Sequence, residues 1–364
     1  MSVRDYVIAA AGSGSDLVVE IRDLRTNAFV ADHTFTGTGV GRGNGYIAAL
    51  PFAMNPHDPV YFATGESIAK CDLTAGALLG VIPTTPPYAS IDAGGVAYVT
   101  DFPHYDVVQF STPASSDHTS AQKISPAGVP ILVSPTAPGD ITAGAPLGLA
   151  GAGNNESGIL VAIDTYLYDW TFASNTFDVG PTIPCASGSI RRIQYGQQVV
   201  SISTGAGFGM AGDIIWGSAT AITPDTSPAV ITAGGLASDN SAGRASPGRF
   251  CYATGSDGTT IWLYVMDAVG LTIGVVCALP DTYGIPDSVC MSYDGTVAYC
   301  LCSAAGVGYP VTIATGAIGT VSTWGVASPQ RATLWPVTET GAPWVLGHVE
   351  VAPAASPWLV GLVP

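Results

Sequence analysis

The sequence predicts an all-β chain, a seven-bladed β-propeller closed by exchange of a strand between its two ends. Three observations lead there. Strand alternation recurs along the chain, and no window sustains a capped helical period. One kind of strand–turn–strand unit returns at a nearly constant spacing. The 45 glycines and 27 prolines fall between short β-branched and aromatic runs, which is how turns punctuate strands.

The repeated unit reads EIRDLRTNAFVADHTF, AKCDLTAGALLGVIP, YDWTFASNTFDVGPTI, YVMDAVGLTIGVVCAL and VTIATGAIGTVSTW. Each is an apolar strand, a polar turn and a second apolar strand. The turns end on Asn27, Gly76, Asn175, Gly270 and Gly316, residue types that accept the positive φ a tight hairpin needs. Their separations are 49, 99, 95 and 46 residues, so each wide gap conceals one degenerate copy. Suitable segments are VVQFSTPASSDHTSAQKIS from Val107 and IIWGSATAITPDTSPAVIT from Ile214. Asn27 to Gly316 then makes six steps of about 48 residues, hence seven copies. A period in the forties with several strands per copy marks a propeller, whereas a two-sheet sandwich has no reason to keep it. One domain over residues 1–364 follows, because each unit buries its face against the next.

PVYFATG, GGVAYVTD, GILVAIDT, RFCYATG and GTVAYCLC read as the second strands of the units. The segment MSYDGTVAYCLC resembles the strand–Asp-Gly–strand element of YVTN-type and WD40-like seven-bladed propellers. The strand pair at Asp72, with its turn DLTAG, resembles their D-x-x-T-G loop. The resemblance is a repeat pattern over most of the chain, and it implies fold alone. Before Asn27 there is room for two strands, one short of a full blade. After Gly316 the chain continues through ATLWPV, PWVLGHVEV and PWLVGLV. This C-terminal segment is expected to complete the first blade and remove its open edge.

Composition excludes several classes. With 47% hydrophobic and 10% charged residues the chain is not a disordered one. A net charge of -16 and only two lysines, Lys70 and Lys123, leave no patch for a phosphate backbone, so nucleic acid is not an expected partner. The opening MSVRDYVIAAAGSGSD has too short an apolar run, and an acid at Asp5, so it reads as a strand and not as a signal peptide. No apolar stretch reaches membrane-spanning length. Synthesis in the cytoplasm and no membrane insertion are expected. Seven cysteines, an odd number set in apolar runs, are expected to stay unbridged.

Catalytic signatures are missing: no G-x-S-x-G, H-E-x-x-H, Walker loop or C-x-x-C occurs. The Gly-rich run 37–45 lacks dinucleotide spacing and reads as a loop between units. None of the five histidines forms a close metal pair, and no catalytic residue, metal ligand or cofactor is assigned. The densest polar cluster is Asp101, His104, Tyr105 and Asp106, with Phe102 and Pro103 between them. A loop of two carboxylates, an imidazole and an aromatic ring can hold a sugar, a peptide or a cation, although a solvated hairpin is the plainer reading. Cys300 and Cys302 face one side of a strand, and Cys290, if on the adjacent strand, brings a third thiol. Asp257-Gly258 and Asp294-Gly295 are first of all hairpin turns. Arg191-Arg192 stands out in so Arg-poor a chain, as an anchor for an acidic partner or as a pair for nearby carboxylates. The seven tryptophans are expected mostly to anchor the packing of the blades.

These readings lead to a non-enzymatic interaction protein, specifically a phage virion component such as a tail, decoration or receptor-binding subunit. Its expected partners are other protein subunits and possible host-surface glycans. The alternative is a metal-dependent, lactonase-like propeller hydrolase with ligands gathered in a central channel from several blades, a pattern that no local motif reveals.

Overall fold

The computed structural model describes residues 2–13, 15–37, 47–48, 55–63, 67–83, 91–101, 104–113, 120–125, 129–135, 141–146, 158–163, 166–182, 190–196, 199–204, 211–212, 214–218, 221–225, 231–238, 249–255, 260–267, 272–286, 288–326, 329 and 332–339. Apart from one 3-10 turn at Asp281–Tyr283, every regular element among them is a strand.

The strands form seven antiparallel sheets among the described residues. The first contains β1 (Ser2–Ser13), β2 (Asp16–Asp23) and β3 (Phe29–Phe35); the second contains β4 (Ile47–Ala48), β5 (Val60–Ala63), β6 (Ser67–Asp72) and β7 (Ala77–Pro83). The third runs through β8 (Ile91–Asp101), β9 (His104–Pro113), β10 (Ser120–Ile124) and β11 (Pro130–Val133). The fourth runs through β12 (Ile141–Pro146), β13 (Gly158–Ile163), β14 (Tyr166–Thr171) and β15 (Thr176–Thr182). The fifth has β16 (Ile190–Gly196) and β17 (Val199–Thr204), then, past the short β18 (Ala211–Gly212), β19 (Ile214–Ser218) and β20 (Ala221–Asp225). The sixth has β21 (Ile231–Ser238), β22 (Arg249–Gly255), β23 (Ile261–Asp267) and β24 (Thr272–Leu279), with β18 paired on β21. The seventh has β25 (Ser288–Met291), β26 (Val297–Cys302), β27 (Val307–Thr312), β28 (Ala317–Ile318) and β29 (Ser322–Thr323). The last strand, β30 (Ala332–Glu339), returns to the first sheet, whose order is β3-β2-β1-β30.

The first strand of each sheet adjoins that of the next, in the succession β4, β8, β12, β16, β21, β25, β30. The first sheet packs on both faces, and period-2 alternation divides its residues. Tyr6, Ile8 and Ala10 of β1, with Trp335 and Val337 of β30, share a core with Val60, Phe62 and Ile68 of the second sheet. Val7 and Ala9, with Leu334, face the other way into a core with Met291, Tyr299 and Leu301 of the seventh. The register Tyr6↔Trp335 and Val7↔Leu334 keeps each face uniform across the chain ends.

The turn residues behave as the repeat requires. Asn27, Gly76, Asn175 and Gly316 have φ of 58°, 61°, 53° and 68°. Each closes the hairpin between the third and fourth strands of its unit; Gly270 lies outside the described residues. The copy at Ile214 matches β19–β20. The copy proposed from Val107 is one strand early, because it covers β9 and β10, while the equivalent hairpin is β10–β11. The strand that joins β1 is also narrower than the tail considered above. It is Ala332–Glu339, and residues 343–364 lie outside the described residues.

Candidate functional site

Sequence-based candidates fall into three groups once placed. The quartet Asp101, His104, Tyr105 and Asp106 belongs to the β8–β9 hairpin. Asp101 pairs with His104 as the closing pair, and Thr100↔Tyr105 and Val99↔Asp106 continue the ladder. Tyr105 and Asp106, expected on a loop, thus lie inside β9, and Phe102 and Pro103 lie outside the described residues. YVTD and YDVV are both extended sequences, so pairing runs to the end of the hairpin.

A second group is absorbed into packing. Asp294 accepts from the hydroxyls of Ser292 and Thr296 and from the Thr296 amide, and its other oxygen lies 2.9 Å from Arg25 Nη2. That turn is occupied by its own chain. Burial acts to raise the Asp294 pKa, but these bonds and Arg25 outweigh it and hold the carboxyl at about 2. His57 Nδ1 meets Asp72 Oδ2 at 2.9 Å, and His33 Nε2 meets the Leu73 carbonyl at 2.8 Å. Trp170, Trp324 and Trp335 are buried anchors. Lys70 lies over Tyr61 and Lys123 over Phe172.

The thiol cluster is corrected by register. β25 does adjoin β26, but Cys290 pairs with Tyr299 while Cys300 pairs with Val289 and Tyr309. Cys290 therefore faces away from Cys300 and Cys302, because successive strand residues point to opposite faces. Cys71, Cys277, Cys290, Cys300 and Cys302 carry thiols and no disulfide. Among the described residues no three His, Cys, Asp or Glu side chains gather as a metal set.

The third group sits on the adjoining first strands. Their charged residues are Asp92 and Asp101 on β8, Arg191 and Arg192 on β16, and Glu339 on β30. Four of these strands depart from regular pairing with their second strand. The departures fall between Ala93 and Gly95, Ile141 and Ala143, Ile190 and Arg192, and Ala233 and Leu236. The extra residues are Gly94, Thr142 and Arg191, and on β21 the two residues Gly234-Gly235 stand against the single Ala253. Such bulges bend a strand and re-aim its residues, and they recur beside active sites. The Arg191-Arg192 pair was visible in sequence. Its bulge was not, because a bulge is defined by the partner strand.

No family model matches the sequence, and a search of curated proteins returns no match. Solved structures do match in shape. The periplasmic gluconolactonase of Pseudomonas aeruginosa superposes with a TM-score of 0.59 at 10% identity, over 92% of this chain and 99% of that one. A candidate 6-phosphogluconolactonase from Bacteroides uniformis gives 0.57 at 12%, over 92% and 100%. The Cps50 (Swd1) β-propeller domain of Myceliophteria thermophila gives 0.51 at 12%, over 87% and 99%. At such identities the likeness concerns fold, and the fold is that of a β-propeller. The phage virion reading is overturned: three of the similar structures carry lactonase names, which favours the alternative reading, and nothing in the comparisons points to a tail, decoration or receptor-binding subunit. That reading rested on missing motifs, and channel ligands drawn from separate blades leave no motif to find.

Proposed function

We propose that residues 1–364 form one seven-bladed propeller of the YVTN/WD40-like kind, and that it opens sugar lactones at the channel lined by its first strands. Seven sheets among the described residues support the blade count. The β1–β30 ladder supports closure by a strand from the other end of the chain. The observation that carries the activity is the end-to-end likeness to structures named as lactonases, over 91–92% of this chain and 98–100% of theirs.

The chemistry suits a channel. Water adds to the ring-ester carbonyl, the ring C–O bond breaks, the ring oxygen takes a proton, and a hydroxy acid leaves. The step needs a group that takes the water proton and a donor or cation beside the developing oxyanion. Strands from several sheets can supply both without any local motif.

The test is a pH-stat assay of purified full-length protein with glucono-1,5-lactone and its 6-phosphate. Base uptake well above the spontaneous rate is expected, with a parallel arm after chelation and re-addition of divalent cations to decide the metal requirement. Uptake at the spontaneous rate for both lactones, with and without added divalent cations, overturns the hydrolase reading.

A further inference from the structure

β30 accounts for the first of the strand-type segments that follow Gly316, and two remain. Residues 340–364 lie outside the described residues, and their sequence holds two related runs, PWVLGHV at 343–349 and PWLVGLV at 357–363. The second carries no charge. It alternates Trp358, Val360 and Leu362 with Leu359, Gly361 and Val363, so it reads as a strand apolar on both faces. A strand of that kind is not stable alone and needs an edge to pair with.

The outer strands of the seven sheets differ in what they offer. Native edges are commonly guarded by charge, proline or shortness. β3 carries Asp32, β15 carries Asp178 and Pro181, and β20 carries Pro224 and Asp225. β11 has four residues, and β28 and β29 have two each. Among the described outer strands this leaves β7 (ALLGVIP) and β24 (TIGVVCAL) as long and uncharged. β7 shows two large apolar side chains to solvent, Leu79 at 51% and Val81 at 39% exposed. A Cβ at Gly80, between them, would have no atom within 4 Å. β24 shows Val275 alone, and the seventh sheet already meets its middle: a Cβ at Gly316 would come within 2.8 Å of Cys277 Cβ.

Reach separates the two runs. The chain leaves β30 at Glu339, opposite Ser2, on the side where the Asn27 turn lies. The Gly76 turn, which leads into β7, is its counterpart in the adjoining second sheet. A strand added beyond an outer strand stands about 19 Å from the first-strand position, four strand spacings away. Pro343 follows Glu339 by four residues, which extend to about 14 Å and fall short. Pro357 follows it by 18, which extend to about 60 Å and suffice.

We propose that Pro357–Val363 pairs along the open edge of β7 in its own molecule, as a fifth strand of the second sheet that covers Leu79 and Val81. Neither partner brings a charge that pairing would desolvate. The edge glycine Gly80 gains large cross-strand neighbours, which stabilise such positions. The proposal is independent of the lactone reading.

Hydrogen–deuterium exchange of the full-length protein, read by mass spectrometry on peptides over Ala77–Pro83, is compared with that of a chain ending at Ser356. The β7 amides should exchange at least about ten-fold faster in the shortened chain, with β24 peptides unchanged. Equal exchange of β7 in the two proteins overturns the proposal, and so does an acceleration at β24 in place of β7. Protection of β7 that disappears on dilution of the full-length protein assigns the cover to a second copy and overturns it too. If the shortened chain does not fold, Leu359→Pro and Val360→Pro in the full-length chain decide. Alternate residues of a strand aim their amides at opposite edges, so one of the two removes a donor facing β7. Unchanged β7 exchange in both variants counts against the proposal.

Discussion

The Tyr299 hydroxyl donates to Asn27 Oδ1 at 2.7 Å, joining the seventh sheet to the β2–β3 turn of the first across 272 residues. The Asn27 amide nitrogen donates in turn to the carbonyls of Gly308 and Thr320, at 2.7 and 2.8 Å. Asn27 thus does two things, since it also holds the positive φ of its turn. Asn27→Gly keeps the turn and removes the bonds. It should cost about 1–3 kcal/mol, the penalty for buried groups left without partners. Asn27→Ala should cost roughly a further 1 kcal/mol for the left-handed backbone. Urea unfolding midpoints check the order; equal costs would show that the backbone contributes nothing.

Glu20 and Arg22 form a buried ion pair at 2.6 Å on the same seam. Glu20 Oε2 accepts from the amides of Gly325 and Val326, and Arg22 donates to the Thr323 carbonyl. Removing one partner strands a buried charge, so Glu20→Gln or Arg22→Met should each cost about 3–5 kcal/mol. The double variant should cost clearly less than the sum. A thermodynamic cycle with additive values would mean that the two side chains act independently.

Trp335 is fully buried, with its ring 5.4 Å from that of Tyr6. Trp335→Ala should cost about 3–5 kcal/mol by loss of apolar burial and the cavity left behind. Truncation before Ala332 should abolish soluble folded protein, because it strips the β1 edge and opens both cores at once. A truncated protein with an unchanged melting temperature would refute a structural role for β30.

Asp294 sets a low-pH limit. Its folded pKa of about 2 lies below the ordinary value of 3.8, so its contribution is full above the unfolded pKa and is lost as pH falls toward 2. Asp5 works in the opposite sense. Burial raises its pKa in spite of the Tyr293 amide and Arg25, so its ionisation counts against folding as pH rises through that raised value. Asp294→Asn should therefore flatten the loss of stability between about pH 4 and 2, the window its shift defines. Acid denaturation followed by circular dichroism tests this, and a curve parallel to wild type would discount the residue.

Thiol reactivity should follow burial. Desolvation pushes up the pKa values of Cys71, Cys277 and Cys290 alike, but Cys277 is only partly buried whereas Cys71 and Cys290 are buried. Native labelling should reach Cys277 before those two. The denatured, unreduced chain should titrate all seven cysteines of the sequence. Fewer than seven would reveal a bridge.

What the sequence disclosed follows from where the physics is local. A left-handed turn restricts its residue to Asn or Gly, so Asn27, Gly76, Asn175 and Gly316 mark their hairpins without any knowledge of partners. The third sheet was misread by one strand because its repeated hairpin was sought after Val107, between β9 and β10, and not between β10 and β11. Pairing relations were hidden for a different reason. Whether Cys290 sits with Cys300, or whether Arg191 is an extra residue in its ladder, depends on register against another strand. The Asp101–His104 cluster was read foremost as a hairpin, and what the sequence did not show is how far its ladder runs, through Thr100↔Tyr105 to Asp101↔His104.

The pairing of β1 with β30 also sets a schedule. Residues 2–13 leave the ribosome long before the partner that covers their edge, which spans 332–339. At roughly 5–20 residues per second, the interval between them lasts about 15 seconds to a minute. Throughout it, the growing chain carries an open edge at β1, and for most of it the apolar face that meets the seventh sheet is uncovered. Chaperone capture and proteolytic loss should concentrate in that interval, and slower decoding before residue 332 should lower the yield of folded protein without altering the stability of the molecules that finish.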